Sequence, residues 1–265
     1  MKYFKITILA LSLVVSSQAF AYLQTREPYG QVRGFYTHGS LSHSSTLPLE
    51  TSTFVEVLPE RHRNYGSQGM IELIKRVTTE YLSMDPTSEK IQIGDIANLE
   101  GGPAHISHQN GLDADIVYLR KDHAVQPAHD YGTPTGFRDT FVHQGRLDTN
   151  FDIERNWKFI SLLMESGRID IIIVDSVIKQ AFCGYALKSG QFPIYTSTLS
   201  RLVDTEDLHD THMHVRLSCP AASPECRSNP ATANLNPNDH GCGSSLKHLA
   251  FGDEDGAESI SALDY

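Results

Sequence analysis

The stretch THMHVRL, Thr211 to Leu217, narrows the fold more than any other part of this chain. Polar and apolar residues alternate with the period of a β-strand. His212, His214 and Arg216 share one face, and Met213, Val215 and Leu217 share the other. A strand with one apolar face belongs to a sheet covered on that side. IDIIIVD (169–175) reads as a fully buried strand of such a sheet, and IQIGDIA (91–97) and DIVYL (115–119) as two more. The cover is predicted to be helical. SQGMIELIKRVTTEYLS sets Met70, Leu73, Ile74, Val77 and Tyr81 at helical spacing behind a candidate cap, Ser67. A second helix is expected from Asp152 to Ser166, burying Ile153, Trp157, Ile160 and Met164 and stopped by Gly167. SVIKQAFCGYAL reads as a short third helix. The mixture predicts an α+β fold, a small antiparallel sheet with flanking helices.

Three stretches lack such periodicity. Residues 22–66, rich in Ser, Thr, Gly and Pro, read as an extended or strand-poor N-terminal wrap. Lys121 to Asn150 is expected to be one long loop, and connections of that length are uncommon unless they serve a site. After Cys219 the chain turns Pro-, Ser- and Asn-rich and ends in an acidic tail.

The first 21 residues, MKYFKITILALSLVVSSQAFA, have the build of a cleavable export signal: Lys2 and Lys5, an apolar run from Ile6 to Val15, then Ala19-Phe20-Ala21. The run is shorter than the ~20 residues that span a bilayer. Residues 22–265 are expected to form a single domain outside the cytoplasm, without a membrane span. With 22 Lys and Arg against 32 Asp and Glu, the net charge is −10, and no basic stripe is present. That excludes nucleic acid as a natural partner, because phosphate binding needs clustered cations. Cys183, Cys219, Cys226 and Cys242 make an even count, which in an exported chain reads as two disulfides with three possible pairings. No C-x-x-C spacing supports a zinc role for them.

Chemistry concentrates in two places. SHQNGLDAD (107–115) carries His108 and Asp115 with Gly111 between them, where a glycine turn would bring a loop histidine back beside an aspartate at a strand entry. His212 and His214 face one cavity, so one imidazole could ligate while its neighbour stands by. Together these offer two histidines and a carboxylate, the ligand types of a catalytic zinc with one open position. Alone, each half is weak: an H-x-H on a strand is more often a surface pair, and His and Asp at this spacing recur by chance.

SHQNGLDAD taken with HDTHMHVRL closely resembles the penicillin-insensitive murein endopeptidases, members of the wider lysostaphin, D-Ala-D-Ala metallopeptidase and hedgehog group. GGPAHISH, RNYG (63–66), DSVIKQAFC and the cysteine-bearing stretch after HMHVRL look like family stretches in the same order. The likeness is weakest over 22–55 and 121–150. It implies a hedgehog/D-Ala-D-Ala metallopeptidase-like fold, with long loops around a zinc cleft. It also implies His108, Asp115 and His214 as zinc ligands and His212 as the catalytic histidine. His105 and His209 match further active-site histidines, His105 either as an extra ligand or as a hydrogen-bonding neighbour. Asp113 is expected to orient a ligand. The resemblance pairs Cys183 with Cys242 and Cys219 with Cys226. Further metal contacts known in relatives have candidates here in His129, Asp139, His143 and Asp148, whose spacing does not align and equally suits a solvated loop.

The activity so implied is hydrolysis of D-alanyl–meso-diaminopimelyl cross-links of peptidoglycan in the periplasm. Zinc activates the water and polarises the carbonyl, and His212 either takes the water's proton or stabilises the oxyanion. Two rivals share these residues: a zinc D,D-carboxypeptidase of the same group, and a non-catalytic zinc-stabilised cell-wall-binding module. A serine acyl-enzyme would need S-x-x-K. SSLK (244–247) supplies it, but without any K-T-G and too near the chain end for a transpeptidase fold.

Overall fold

Helical spacing in SQGMIELIKRVTTEYLS is realised as α1 (Gln68–Met84) in the computed structural model, with the Ser67 hydroxyl accepting a hydrogen bond from the Met70 amide. The structure describes residues 31–103, 106–128, 136–190, 196–205, 209–233, 235–236 and 239–242. The expected export signal and the SSLK stretch lie outside them. Met70, Leu73, Ile74, Val77 and Tyr81 are all buried, as their spacing predicts. α2 (Ile153–Glu165) is capped by Asp152 and buries Trp157 and Ile160, while Ile153 and Met164 lie only partly buried at the edge of the core. α3 (Ser176–Lys188) carries Cys183 and is followed by two shorter helices, α4 (Thr196–Arg201) and α5 (Pro230–Ala233).

Among the described residues the main sheet has six strands in the order β11 (Leu202–Thr205), β10 (Ile169–Asp175), β12 (His212–Leu217), β7 (Asp113–Val117), β6 (Ile91–Ile93) and β4 (Phe54–Glu56). Its centre is antiparallel, but β10 with β11 and β4 with β6 pair in parallel. The sheet is therefore mixed, not antiparallel throughout. Each parallel pair is joined through helix, α3 and α4 between β10 and β11, and α1 between β4 and β6. Parallel neighbours need such crossovers, and side-chain alternation carries no information about strand direction. The fully apolar IDIIIVD is buried along its whole length, as predicted. IQIGDIA forms a strand over its first three residues, and Ala97 makes an isolated bridge to Asn64.

The N-terminal stretch departs further from expectation. It contains β1 (Gln31–Phe35) and β2 (His38–Ser42) as a hairpin, β3 (Ser45–Thr46) paired with β5 (Tyr65–Gly66), and β4 in the main sheet. Short strands full of Ser and Gly lack the β-branched runs that announce strands, and tertiary pairing supplies what propensity does not. Among its described residues the long 121–150 segment holds a small hairpin, β8 (Val142–His143) with β9 (Arg146–Leu147).

One core forms where α1, α2 and α3 cover a face of the sheet, joining Ile74 and Tyr81, Phe159, and Phe182 to Ile116, Met213 and Val215. Two disulfides tie down the C-terminal third, Cys183–Cys242 and Cys219–Cys226, the pairing that the resemblance implied. The second closes a loop just past β12. The N-terminal hairpin docks on this loop, the Gly34 amide donating to the Glu225 carbonyl and the Arg227 amide to that of Gly34.

Candidate metal centre

Antiparallel register between β7 and β12 builds the heart of the site. His214 lies directly opposite Asp115, and Arg216 directly opposite Asp113. Cross-strand partners stand about 5 Å apart at Cβ, so two aspartates meet a histidine and an arginine on the face away from the helical core. The Asp113 carboxylate is wholly buried and accepts from His214 Nε2 at 2.9 Å and from Arg216 Nε at 2.6 Å. Burial alone would raise the pKa of Asp113; Arg216 and then His214 overcome it and hold the carboxyl well below the usual range. With Nε2 engaged by Asp113, His214 turns Nδ1 toward Asp115, 3.3 Å from Oδ1.

The loop of His108 closes the site from above. Gly111 adopts a left-handed φ of +74°, as the turn before Asp113 requires, and its carbonyl accepts from the Ser67 amide at the start of α1. His108 itself sits at φ 65°, and its amide donates to Asp113 Oδ2 at 3.2 Å. Its Nδ1 lies 3.0 Å from the Ile96 carbonyl, which leaves Nε2 directed at Asp115, 3.3 Å from Oδ1. The segment before Ile96 also grips Asp115: the Gly94 amide donates to the Asp115 carbonyl, and the Asp115 amide to that of Asp95. Asp95 is anchored in turn by Arg61 and Arg63 at 3.0 and 2.8 Å.

Ligand-type atoms of His108, Asp115 and His214 all fall within 4.8 Å of one another, and all three residues are buried. Asp115 Oδ1 is buried and has no hydrogen-bond partner, although three imidazole nitrogens surround it at 3.3 to 3.5 Å. Nitrogens gathered round a carboxylate oxygen without aligning on it suit a shared cation better than hydrogen bonds. Burial works against a charged His108, yet Asp115 outweighs it and pushes the imidazole up to about 9.

His212 stands one step back. Its Nε2 is 3.5 Å from Asp115 Oδ1, and its Nδ1 is 2.8 Å from the Thr211 hydroxyl. Burial lowers its pKa to about 4, with Asp115 opposing the shift. Phe137 stacks on its ring at 4.2 Å. His209, also at a left-handed φ of 62°, lies with its ring 5.3 Å from that of His212 and 5.7 Å from that of His214, its Nδ1 beside the Thr205 hydroxyl.

The other expected contributors divide. Asp113 orients a histidine, as predicted. His105 and His129 lie outside the described residues. Asp139 is taken up by Arg120 and Arg138, and exposed His143 pairs with Asp148 on the β8–β9 hairpin. No second metal cluster forms among the described residues, because the arginines of that loop, unweighed in the spacing, claim its carboxylate first. Sequence reasoning missed Phe137, Asp95, Arg61 and Arg63. Arg216 was visible as the third member of the HMHVR face, and its role follows from register alone.

Comparison with known proteins fits this geometry. A penicillin-insensitive murein endopeptidase from Citrobacter koseri is 28% identical over 258 residues, covering 92% of this chain and 87% of the relative. Proteins of the same name from Escherichia coli K12 and Shigella sonnei are 27% identical over 257 residues, with the same coverage. The profile of that family matches residues 32–258, a span that holds both strands and the histidine loop of the site. The chain belongs to the penicillin-insensitive murein endopeptidase family.

Proposed function

We propose that this protein is a zinc-dependent murein D,D-endopeptidase that hydrolyses D-alanyl–meso-diaminopimelyl cross-links between peptidoglycan stem peptides. Membership of the family supports the coarser statement, a peptidase acting on murein. One observation carries the finer reading: the convergence of two imidazole nitrogens and an unpartnered buried carboxylate oxygen at one point. His108 through Nε2, His214 through Nδ1 and Asp115 through Oδ1 would hold the ion. This is the nitrogen and oxygen set that zinc accepts, with room for a fourth, exchangeable position. A hedgehog/D-Ala-D-Ala metallopeptidase-like architecture suits the mixed sheet with its site on the face away from the helices. When bound, zinc would lower the pKa of a water toward ~7 and polarise the scissile carbonyl.

The rest is done by the chain. Asp113 fixes the ring of His214, and the Ile96 carbonyl fixes that of His108, so both present one chosen nitrogen. Burial favours an uncharged His212 near neutral pH, and in the tautomer whose Nδ1 donates to the Thr211 hydroxyl its Nε2 is a base. It accepts a proton from the attacking water or, once protonated, donates to the oxyanion or the departing amine. Water oxygen bonds to the carbonyl carbon, the C–N bond breaks, and the amine leaves with a proton. His209 is placed to steady His212. Murein lies outside the cytoplasmic membrane, so export by residues 1–21 to the periplasm completes the reading. Two disulfides suit an oxidising compartment, and no described helix is long and apolar enough to cross a membrane.

Substitution within HMH separates ligand from catalyst. His214→Ala, like His108→Ala and Asp115→Ala, should lose both zinc and turnover. His212→Ala should retain zinc and lose ~10²-fold or more in turnover, the scale of one positioned acid–base or oxyanion group. Zinc stoichiometry and muropeptide release, measured on the same preparations, decide. Retention of zinc by His214→Ala with its loss from His212→Ala reverses the roles. Dimer-to-monomer conversion marks an endopeptidase, and shortening of pentapeptides marks a carboxypeptidase.

A further inference from the structure

The long 121–150 segment delivers one side chain onto the site. Phe137 lies nearly parallel to the ring of His212, centroids 4.2 Å apart and planes 25° apart. It is buried and packs with Val57 and Val117. The segment is strapped on both sides of it. The Arg138 amide donates to Gln126 Oε1, and Gln126 pairs through its own amide and carbonyl with the side chain of Gln92 on β6. The Phe141 amide donates to the Asp210 carbonyl, two residues before His212.

Room for the ring comes from Gly94. A Cβ there would stand 2.7 Å from Phe137 Cζ, 3.1 Å from its Cε1 and 3.1 Å from Asp115 Cβ. Gly94 has no left-handed φ, so it is glycine for space and not for backbone freedom. Two independent features, a ring stack and a missing side chain cut to fit it, thus converge on one face of His212. Thr211 holds the ring at Nδ1, but a single hydrogen bond leaves the imidazole free to rock about that contact. The stack removes that freedom.

We propose that Phe137 is a positioning residue for His212. It fixes the imidazole plane and shields that face from water, so that Nε2 stays aimed at the reacting groups, and Gly94 exists to admit it. The inference rests on the reading of His212 as the reacting histidine. Phe137 itself carries no group that could exchange a proton or bind the ion.

Phe137→Leu, which keeps an apolar filler and removes the stack, tests it in the full-length zinc-loaded protein. Turnover should fall ~10- to 100-fold, the scale of a misplaced catalytic group, with KM little changed and zinc stoichiometry kept. Histidine-selective NMR supplies a readout apart from activity. The His212 ring protons, assigned by their absence in His212→Ala, should be shifted upfield in the wild type and relax downfield in Phe137→Leu. Gly94→Ala should reproduce both effects by displacing the ring. In the Phe137→Leu background it should add little, because neighbours that act through one contact are not additive. Full turnover in Phe137→Leu with the ring-current shift gone overturns the proposal, as does loss of zinc in step with activity. Additive effects of the two substitutions place the action of Gly94 on Asp115 and overturn its link to Phe137. If the wild type releases nothing from cross-linked murein, the functional reading fails, while the NMR shift still decides the stack.

Discussion

Replacing Asp113 by Asn keeps the shape of the side chain and removes its charge. The carboxylate receives three donors: His214 Nε2, Arg216 Nε and the His108 amide. Asn offers one carbonyl oxygen and turns an NH2 group toward whichever donors the oxygen does not serve, so at least one contact becomes donor against donor. Arg216, buried beside it, loses the carboxylate that it meets at 2.6 Å. Stranding a buried charge costs ~3–5 kcal/mol. The Tyr36 ring, 3.4 Å from the guanidinium carbon, offsets part of this, so the lower end is expected. His214 loses the partner that selects its Nδ1 for the metal, and loss of such a partner weakens metal affinity ~10- to 100-fold. Urea unfolding of the metal-free protein measures the first effect, and competition with a chromophoric chelator the second. Adding Arg216→Met should restore stability, because no stranded cation remains, without restoring zinc affinity. A stable Asp113→Asn that binds zinc as tightly as the wild type would refute the claim that this carboxylate orients the ligand.

Chelation should abolish murein hydrolysis and added zinc restore it, with a β-lactam inert throughout; inactivation by penicillin would sink the metal reading. Gly111→Ala forces a Cβ onto a left-handed turn 2.6 Å from Leu41 Cδ2 and 3.0 Å from the Ser67 amide nitrogen. It should cost ~2 kcal/mol or more and loosen zinc through His108, and an unchanged denaturation midpoint contradicts this. Glu56 is buried with Oε2 unpartnered, and burial, then Asp95 and Glu60, raise its carboxyl to about 7. Its folded form prefers the proton, so its contribution to stability is complete below the unfolded pKa near 4.5 and is lost as pH rises through about 7. Glu56→Gln should therefore lose less stability than the wild type as pH rises from 5 to 8. Identical pH dependence of urea unfolding in both proteins rules that out. Non-reducing peptide mapping should find Cys183 with Cys242 and Cys219 with Cys226, and a free thiol at any of the four contradicts the pairing seen here.

Local and periodic features were legible in the sequence. α1 with its Ser67 cap, the buried β10 and the two-faced β12 follow from spacing within one element, where a few adjacent residues decide the outcome. The same holds for Gly111, whose turn depends on a single φ. Strand direction was not legible, nor were the short N-terminal strands, since both depend on partners far away in the chain.

Residue order alone supplied the groups available for chemistry: a histidine loop, an Asp-x-Asp strand and an H-x-H-x-R face, together with the likeness that names the family. How those groups divide their work depends on folding. A cross-strand register set His214 against Asp115 and Arg216 against Asp113, so one carboxylate faces the two imidazoles of the candidate metal centre and the other orients a histidine. The same packing paired Asp139 with Arg120 and Arg138 and laid Phe137 on His212. Residue type and spacing fix what a side chain can bind. Which partner reaches it first, at hydrogen-bond range and in a buried site where each contact is strong, is a property of the folded chain.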